Sequence, residues 1–250
     1  MKIQTSLIAF LALITWTGLA PLRAADSPST KSLGKLIFSD DFNREDGSKD
    51  KDAIGNGWST ASDQRAAGNK QVALKNGAMY IYIHPVADHA VSVRHDVEFK
   101  DGAVEMRFML EDEKDTLGVD FADLQCKEVH AGHLFKVVVG TKKVDVDDSK
   151  SGVMNLKFEE AKKAKTLTPE QQKFIASTKK SFPVSLEAGK WHGLLIEVAG
   201  DTISVAVDGK NLGSFSSAGF AHPTKRMIRL GVARKAVVDD VKVFSASAKQ

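Results

Sequence analysis

From about residue 70 onward, the chain consists of short stretches in which apolar and polar residues alternate, each ended by a turn. Residues 78–83 (AMYIYI) follow an Asn76-Gly77 pair, and residues 103–110 (AVEMRFML) follow a Lys-Asp-Gly turn. Alternation with a period of two directs successive side chains to opposite faces of a strand, and Asn-Gly is typical of a type I′ hairpin turn. About a dozen such stretches predict an all-β fold of two packed antiparallel sheets.

Residues 155–182 break the alternation. Residues 158–165 (FEEAKKAK) have a helical composition, with Glu159 four residues before Lys163. Thr168-Pro169 and Gln171 form a capping-box pattern, which predicts a helix running to about Lys179 and ending before Pro183. Because this segment has too few apolar residues for a core, we expect a helical insertion in one sandwich. It is either a solvated surface flap or a lid over a site.

The N-terminus has the pattern of a secretory signal peptide over residues 1–24. A lysine precedes an apolar run, and Leu22-Arg23-Ala24 provides a cleavage site before Ala25. We expect residues 25–36, rich in Ser, Lys and Gly, to be a disordered lead-in, and residues 37–246 to form a single domain. The predicted location is secreted or periplasmic, with an uncleaved anchor as the alternative and no membrane span after cleavage.

Charge and cysteine content limit the possible partners. The chain has 35 Lys and Arg against 32 Asp and Glu, and loss of Lys2 and Arg23 with the signal leaves 33 basic residues. These charges are interspersed, so the basic footprint of a nucleic-acid-binding protein is missing. Cys126 is the only cysteine, so an internal disulfide is impossible and stability must come from the core.

Several motifs resemble the concanavalin A-like lectin/glucanase superfamily, and within it the exported bacterial proteins with 3-keto-disaccharide hydrolase domains. They are spread over residues 36–245 and comprise FSDDFNR at 38–44, Gly57-Trp58, LKNGA at 74–78, GKWH at 189–192, VAVDG at 205–209 and VDDVKVF at 238–244. The resemblance implies a concanavalin-like jelly-roll β-sandwich and a carbohydrate or glycoside as partner. It also implies that the first and last strands are neighbours.

That pairing would bring Asp41 close to Asp240, together with the adjacent Asp40 and Asp239. Carboxylates from both chain ends are suitable ligands for a structural Ca²⁺, which takes six to eight oxygens. The alternative is that these residues are hydrated turn and edge positions. No other cofactor is expected.

The related family-16 glucanases use a Glu-x-Asp-x-x-Glu strand, whose alternation directs three carboxylates into one cleft. The stretch at 103–110 resembles it most but has Glu105 and then Arg107 where a carboxylate is needed. A retaining glucanase is therefore disfavoured.

Strand parity predicts a polar outer face. If the apolar residues of each strand face the core, a set of charged residues faces outward, and the resemblance makes this face the sugar-binding one. We take Arg94, Arg107 and Lys136 as candidate ligand-binding residues and Glu105, Asp120 and His133 as candidate catalytic residues. The alternative is a ladder of charges paired across strands for structural reasons.

A 3-keto sugar would need one positioned base, because its ketone acidifies the neighbouring C–H and permits an elimination that cleaves the glycosidic bond. His133 or Asp120 suits that role. His130 and His133 also have the spacing of zinc ligands, but a third ligand is not identifiable. Tyr80, Tyr82 and Trp58 are candidates for stacking on a sugar ring, with burial in the core as the alternative.

Three functions follow from these observations. The first is a glycoside hydrolase of the 3-keto-disaccharide type. The second is a non-catalytic glycan-binding module, and the third is an envelope protein that uses the sandwich for protein contacts. Convergence of Glu105, Asp120 and His133 in one pocket would favour the enzyme, whereas their separation or ion pairing would count against it.

Overall fold

A computed structural model describes residues 33–246 of the chain. The predicted signal peptide and most of the predicted lead-in lie outside the described residues. The first strand begins at Lys35, two residues before the domain boundary expected from composition. The described residues contain fifteen strands: β1 Lys35–Asp40, β2 Ser59–Thr60, β3 Val72–Lys75, β4 Ala78–Tyr82, β5 Val91–Phe99, β6 Gly102–Met109, β7 Thr116–Ala122, β8 His133–Gly140, β9 Lys143–Asp147, β10 Lys179–Pro183, β11 Trp191–Ala199, β12 Thr202–Val207, β13 Lys210–Ser216, β14 Lys225–Val232 and β15 Lys235–Ser245.

The strands form two antiparallel sheets. The eight-stranded sheet has the order β13-β12-β11-β6-β15-β4-β3, and β1 pairs with the second half of β15. The seven-stranded sheet has the order β10-β9-β8-β7-β14-β5-β2. The pairing of β1 with β15 confirms that the first and last strands are neighbours, with Asp40 opposite Val241.

The core lies between the sheets and follows the predicted alternation. Val104, Met106 and Phe108 of β6 are buried from one side, and Val119 and Phe121 of β7 from the other. Their neighbours in sequence therefore point away from the core, as strand parity requires. The sandwich of two antiparallel sheets predicted from the sequence is confirmed.

Two hairpin turns are specified by their residues. Asn76 and Gly77 join β3 to β4 with φ of 54° and 69°, and Asp208 and Gly209 join β12 to β13 with φ of 51° and 73°. A type I′ turn needs positive φ at both central positions, and Asn, Asp and Gly adopt this conformation most readily.

The segment between β9 and β10 contains two helices, α2 Leu156–Lys163 and α3 Pro169–Ser177, after a short α1 at Ser62–Arg65. Thr168 and Gln171 form the predicted capping box. Helix α3 ends at Ser177, two residues before the predicted end at about Lys179, because Lys179 begins β10 and pairs with Asp147 of β9. Neither α2 nor α3 has a buried residue, and Phe158 contacts Phe174 between them.

Candidate functional site

A row of charged side chains crosses the outer face of the seven-stranded sheet. Six neighbouring strands contribute one residue each, and each residue is opposite the next in the register. In order, they are Arg94 of β5, Arg229 of β14, Asp120 of β7, Lys136 of β8, Asp147 of β9 and Lys179 of β10. The charged ladder considered from the sequence is therefore present. Its positive members outnumber its negative ones by four to two.

A groove of about 310 Å³ lies beside the centre of this row. Its floor includes Gly118 of β7 and Gly231 of β14, which are opposite each other in the register. A Cβ added at Gly231 would meet no atom within 4 Å, so the missing side chain leaves open space above the sheet. Asp120, His133, Lys136 and Arg229 line the groove, together with His89 and Met154.

Asp120, His133 and Arg229 are held together at the groove wall. The Asp120 Oδ2 atom lies 2.7 Å from His133 Nδ1 and 3.4 Å from Arg229 Nη1. Arg229 Nη2 donates to the Ala131 carbonyl at 2.8 Å, which fixes the guanidinium beside the imidazole. Burial lowers the pKa of Arg229, the Asp120 carboxylate opposes this effect, and the positive charge of Arg94 adds to it.

This arrangement determines which atoms remain free. Because a carboxylate only accepts, Asp120 takes its short hydrogen bond from His133 Nδ1–H, and Nε2 is then the basic nitrogen. Arg229 Nη1 lies 3.4 Å from both ring nitrogens, which places a positive charge beside the imidazole. Asp120 Oδ1 is buried without a hydrogen-bond partner among the described residues. His133 Nε2 is therefore the base that this site offers, since Asp120 Oδ1 is too buried to contact a ligand.

Two cations flank the site without a carboxylate partner within the described part of the chain. Lys136 lines the groove, and the acids on its neighbouring strands, Asp120 and Asp147, are committed to His133 and to Lys179. Arg94 donates only to Ser92 Oγ, at 3.1 Å.

Glu105 and Arg107 do not belong to this site. They lie on β6 of the eight-stranded sheet, so their outward side chains are on the opposite surface of the sandwich. Glu105 has Leu195 and Lys242 as cross-strand neighbours, and Arg107 pairs with Asp239 at 3.0 Å. The expectation that five charged residues share one face fails because parity along a strand cannot reveal which sheet the strand joins.

The predicted calcium ligands do not form a cation site. Asp40 accepts from Arg44 and Trp58, Asp41 accepts from Asn43, and Arg107 lies 3.6 Å from Asp240. No group of three or more His, Cys, Asp or Glu residues within 33–246 could hold a metal ion. These carboxylates therefore do not fit Ca²⁺. His130 and His133 likewise belong to no such group and do not fit Zn²⁺, and His130 pairs with Glu159.

The aromatic candidates lie away from the groove. Trp58 is 7% exposed and its Nε1 donates to Asp40 at 2.8 Å, so it is a core residue. Tyr80 and Tyr82 contact each other edge to face on β4 of the eight-stranded sheet. An aromatic ring for stacking on a sugar is thus missing among the described residues that line the groove.

Sequence reasoning overlooked Arg229 and Asp123. Arg229 interrupts the apolar run of β14 between Ile228 and Leu230, and a charge in that position was a usable signal. Gly118, Asp120 and Asp123 have the spacing of the Glu-x-Asp-x-x-Glu strand, with glycine in the first place. The pattern is hard to recognise in the sequence because Gly118 stands in place of its first glutamate and Asp123 in place of its second.

Asp123 is hydrogen-bonded to His222 Nε2 at 3.1 Å and lies 3.5 Å from Arg226 Nε. It borders a more open depression of about 410 Å³ near Asp96 and Glu98. Glu98 pairs with Arg226 there. The carboxylates of Asp123 and Glu98 in that depression are therefore engaged by cations.

Comparison with solved structures shows the fold. A non-specific endo-β-1,3(4)-glucanase of family GH16, SCLam, is 13% identical with a TM-score of 0.56, covering 84% of this chain and 90% of the glucanase. The laminarinase from Rhodothermus marinus is 12% identical with a TM-score of 0.55, over 86% of this chain and 98% of that one. The carbohydrate-binding module CBM66 from Bacillus subtilis is 12% identical with a TM-score of 0.50, over 76% and 96%.

The chain has a concanavalin-like jelly-roll fold. No protein-family model and no curated protein matches it, so the resemblance to 3-keto-disaccharide hydrolase domains stays a prediction.

Among the helices of residues 33–246, none is long and apolar enough to cross a membrane.

Proposed function

We propose that this chain is a carbohydrate-active protein that cleaves a glycosidic bond by elimination in the groove of the seven-stranded sheet. Two findings count against an enzyme by the criterion taken from the sequence, because Glu105 lies on the other sheet and Asp120 is ion-paired with Arg229. The observation that still carries the proposal is the hydrogen bond between Asp120 and His133, which orients a single base at the groove wall. The structures it is similar to include glycan-cleaving and glycan-binding proteins, which supports the class of partner.

The number of carboxylates that line the groove distinguishes two kinds of cleavage. A glycosidase that works by direct displacement needs two carboxyl groups facing each other across the scissile bond. Asp120 is the only carboxylate among the described residues that line the groove, and it is paired with His133 and Arg229. Cleavage by proton abstraction needs one base and nearby positive charge, which this groove has.

A 3-keto glycoside fits this chemistry. His133 Nε2 takes the proton from C2, which the C3 ketone has acidified, and Arg229 stabilises the negative charge on the ketone oxygen. The electron pair then forms the C1–C2 double bond as the C1–O bond breaks, and the departing oxygen takes the proton from His133 Nε2, which restores the neutral imidazole. Addition of water to the double bond completes hydrolysis. Asp120 holds the imidazole in the required tautomer throughout.

The N-terminal pattern supports the proposal that this reaction takes place in the periplasm or outside the cell. The exported protein would then begin at Ala25, which N-terminal sequencing of the purified material checks. That same material is the enzyme for the activity test.

The activity test uses glycosides and their 3-keto derivatives, with release of the aglycone as the readout. We expect cleavage of the keto forms, and a loss of at least about 100-fold in His133→Ala and Asp120→Asn. His89→Ala is the matched control, because His89 lines the same groove and contacts only the adjacent Ala90 carbonyl. Turnover that survives His133→Ala would contradict the assigned base.

A glycan-binding module is the second candidate. The ion pairing of Asp120 and the glycine at position 118 favour it, since both reduce the number of groups available for catalysis. Binding of glycans in the groove with no turnover of any panel member would select this alternative. A protein-interaction role is the third, and it would be indicated by the absence of glycan binding.

A further inference from the structure

We propose that the sugar bound in the groove carries an anionic group, a carboxylate or a sulfate, and that Lys136 binds it on one side of the groove. Arg94, which donates to the groove residue Ser92, is a second anion-binding position on the other side. This inference rests on the proposed function, because it names the class of glycan for the same site. It starts from the charges around the groove.

The charges of the groove do not cancel. Asp120 is the only acidic residue among the described residues that line it, and Asp120 is hydrogen-bonded to both the Arg229 guanidinium and the His133 ring. Lys136 adds a further positive charge on the β8 side, and Arg94 adds another beyond Arg229 on the β5 side. A neutral glycan would leave both of these cations without a counter-charge.

Of the two cations, Lys136 gives the stronger evidence for an anionic ligand. Two other lysines of this sheet have carboxylate partners, Lys179 with Asp147 at 3.2 Å in the same row and Lys143 with Asp145 at 2.8 Å. Lys136 lies between two strands that each present an aspartate, yet no carboxylate of residues 33–246 lies within 4.0 Å of its Nζ atom. It also lines the groove, so its ammonium group is available to a ligand.

The spacing of the row fits a saccharide. Neighbouring strands are about 4.8 Å apart, so Arg94 and Lys136, separated by two strands, stand about 14 Å apart at their Cα atoms. Lys136 lines the groove on one side, and on the other side Arg94 Nε donates to Ser92 Oγ, which also lines it. A negatively charged substituent on either side of the reacting ring therefore meets a cation. Charge-assisted hydrogen bonds of this kind are stronger than those between neutral groups.

The test measures binding and not turnover. The probes are an oligosaccharide of uronic acids, the same oligosaccharide with its carboxyl groups reduced to alcohols, and a sulfated neutral oligosaccharide of equal length. Calorimetric titration of the full secreted chain gives their dissociation constants. We expect an anionic form to bind about tenfold or more tightly than the reduced form, with uronate and sulfate arms showing which anion is preferred.

Variants assign the preference to residues. Lys136→Met should abolish most of the difference between charged and reduced forms, and Arg94→Met part of it. Lys179→Met is the control, because it removes a lysine of the same row that lies outside the groove and is paired with Asp147. It should keep the wild-type preference.

The outcomes separate the two proposals. Equal binding of charged and reduced forms, or a preference that survives Lys136→Met, overturns this inference. If neutral glycans bind or are cleaved and anionic ones are not, the inference fails and the proposed function stands. If no glycan binds, both fail.

Discussion

His95 is a half-buried imidazole that packs against aromatic residues. It stacks on Phe38 with ring centroids 3.7 Å apart, and Trp58 contacts it at 5.0 Å. Its Nε2 lies 3.1 Å from the Asn56 carbonyl, and Nδ1 has no partner among the described residues. Burial lowers the pKa of His95, although the carboxylates of Asp96 and Asp40 oppose the shift.

This environment predicts a stability that depends on pH. Since the folded pKa lies below the unfolded value of about 6.5, the unfolded chain binds the proton first. Stability from this group is complete above about pH 6.5 and is lost as the pH falls below it. Urea midpoints at pH 7.5 and 5.5 measure the loss. His95→Gln should flatten the profile, and a profile unchanged from wild type would contradict the assignment, with the exposed His89→Gln as control.

At the scale of elements, the groove depends on two neighbouring strands that each have a glycine at the same register position. Gly118 of β7 and Gly231 of β14 are paired, and both belong to strands whose other outward residues are larger. Glycine inside a strand lowers its stability, and its presence there often marks a place where a ligand approaches the backbone. Two of them side by side in the middle of a sheet give the groove its depth.

Filling that space should separate binding from folding. Gly231→Val places a side chain where no atom lies within 4 Å, so we expect the fold to be retained and glycan affinity to fall by at least about tenfold. Gly193→Val is a matched control. It also meets no atom within 4 Å, but lies on β11 of the other sheet. Equal effects of the two substitutions on binding would show that the ligand does not occupy the groove.

For the whole molecule, Asp40 joins the first strand to the loop that follows it. This buried carboxylate accepts from Arg44 Nη1 and Nη2 at 2.6 and 2.9 Å. It also accepts from Trp58 Nε1 at 2.8 Å and from the Phe42 amide at 2.9 Å. Burial alone would raise the pKa of Asp40, but the hydrogen bonds from Arg44 and its other partners lower it. The network holds Trp58 in the core beside Phe42 and Phe38.

Removing that carboxylate should weaken the entire domain. Asp40→Ala leaves the Arg44 guanidinium and the Trp58 indole N–H without their acceptor, so we expect a loss of about 3 kcal/mol in the free energy of unfolding. Chemical denaturation measures it. Asp41→Ala is the control, because Asp41 is exposed and contacts only Asn43. A loss below about 1 kcal/mol in Asp40→Ala would contradict the role assigned to the network.

The fold was predictable because the signals behind it are local. Alternation within each strand decides which side chains are buried, as Val119 and Phe121 show, and turn residues such as Asn76-Gly77 decide where the chain reverses. Both depend on residues a few positions apart. The same local signals predicted the capping box at Thr168, and parity correctly turned Asp120, Lys136 and Arg94 outward.

The composition of the site depended on tertiary structure. Parity could not separate Glu105 and Arg107 from Asp120, because a strand's sheet is decided by pairing with residues far away in sequence: β6 lies between β11 and β15, and β7 between β8 and β14. Arg229 meets Asp120 from 109 positions away. The amino-acid pattern by itself determined a sandwich of antiparallel strands with charged outer faces. Only the packing of those strands decided which charges became partners and which, like Lys136, were left facing a groove.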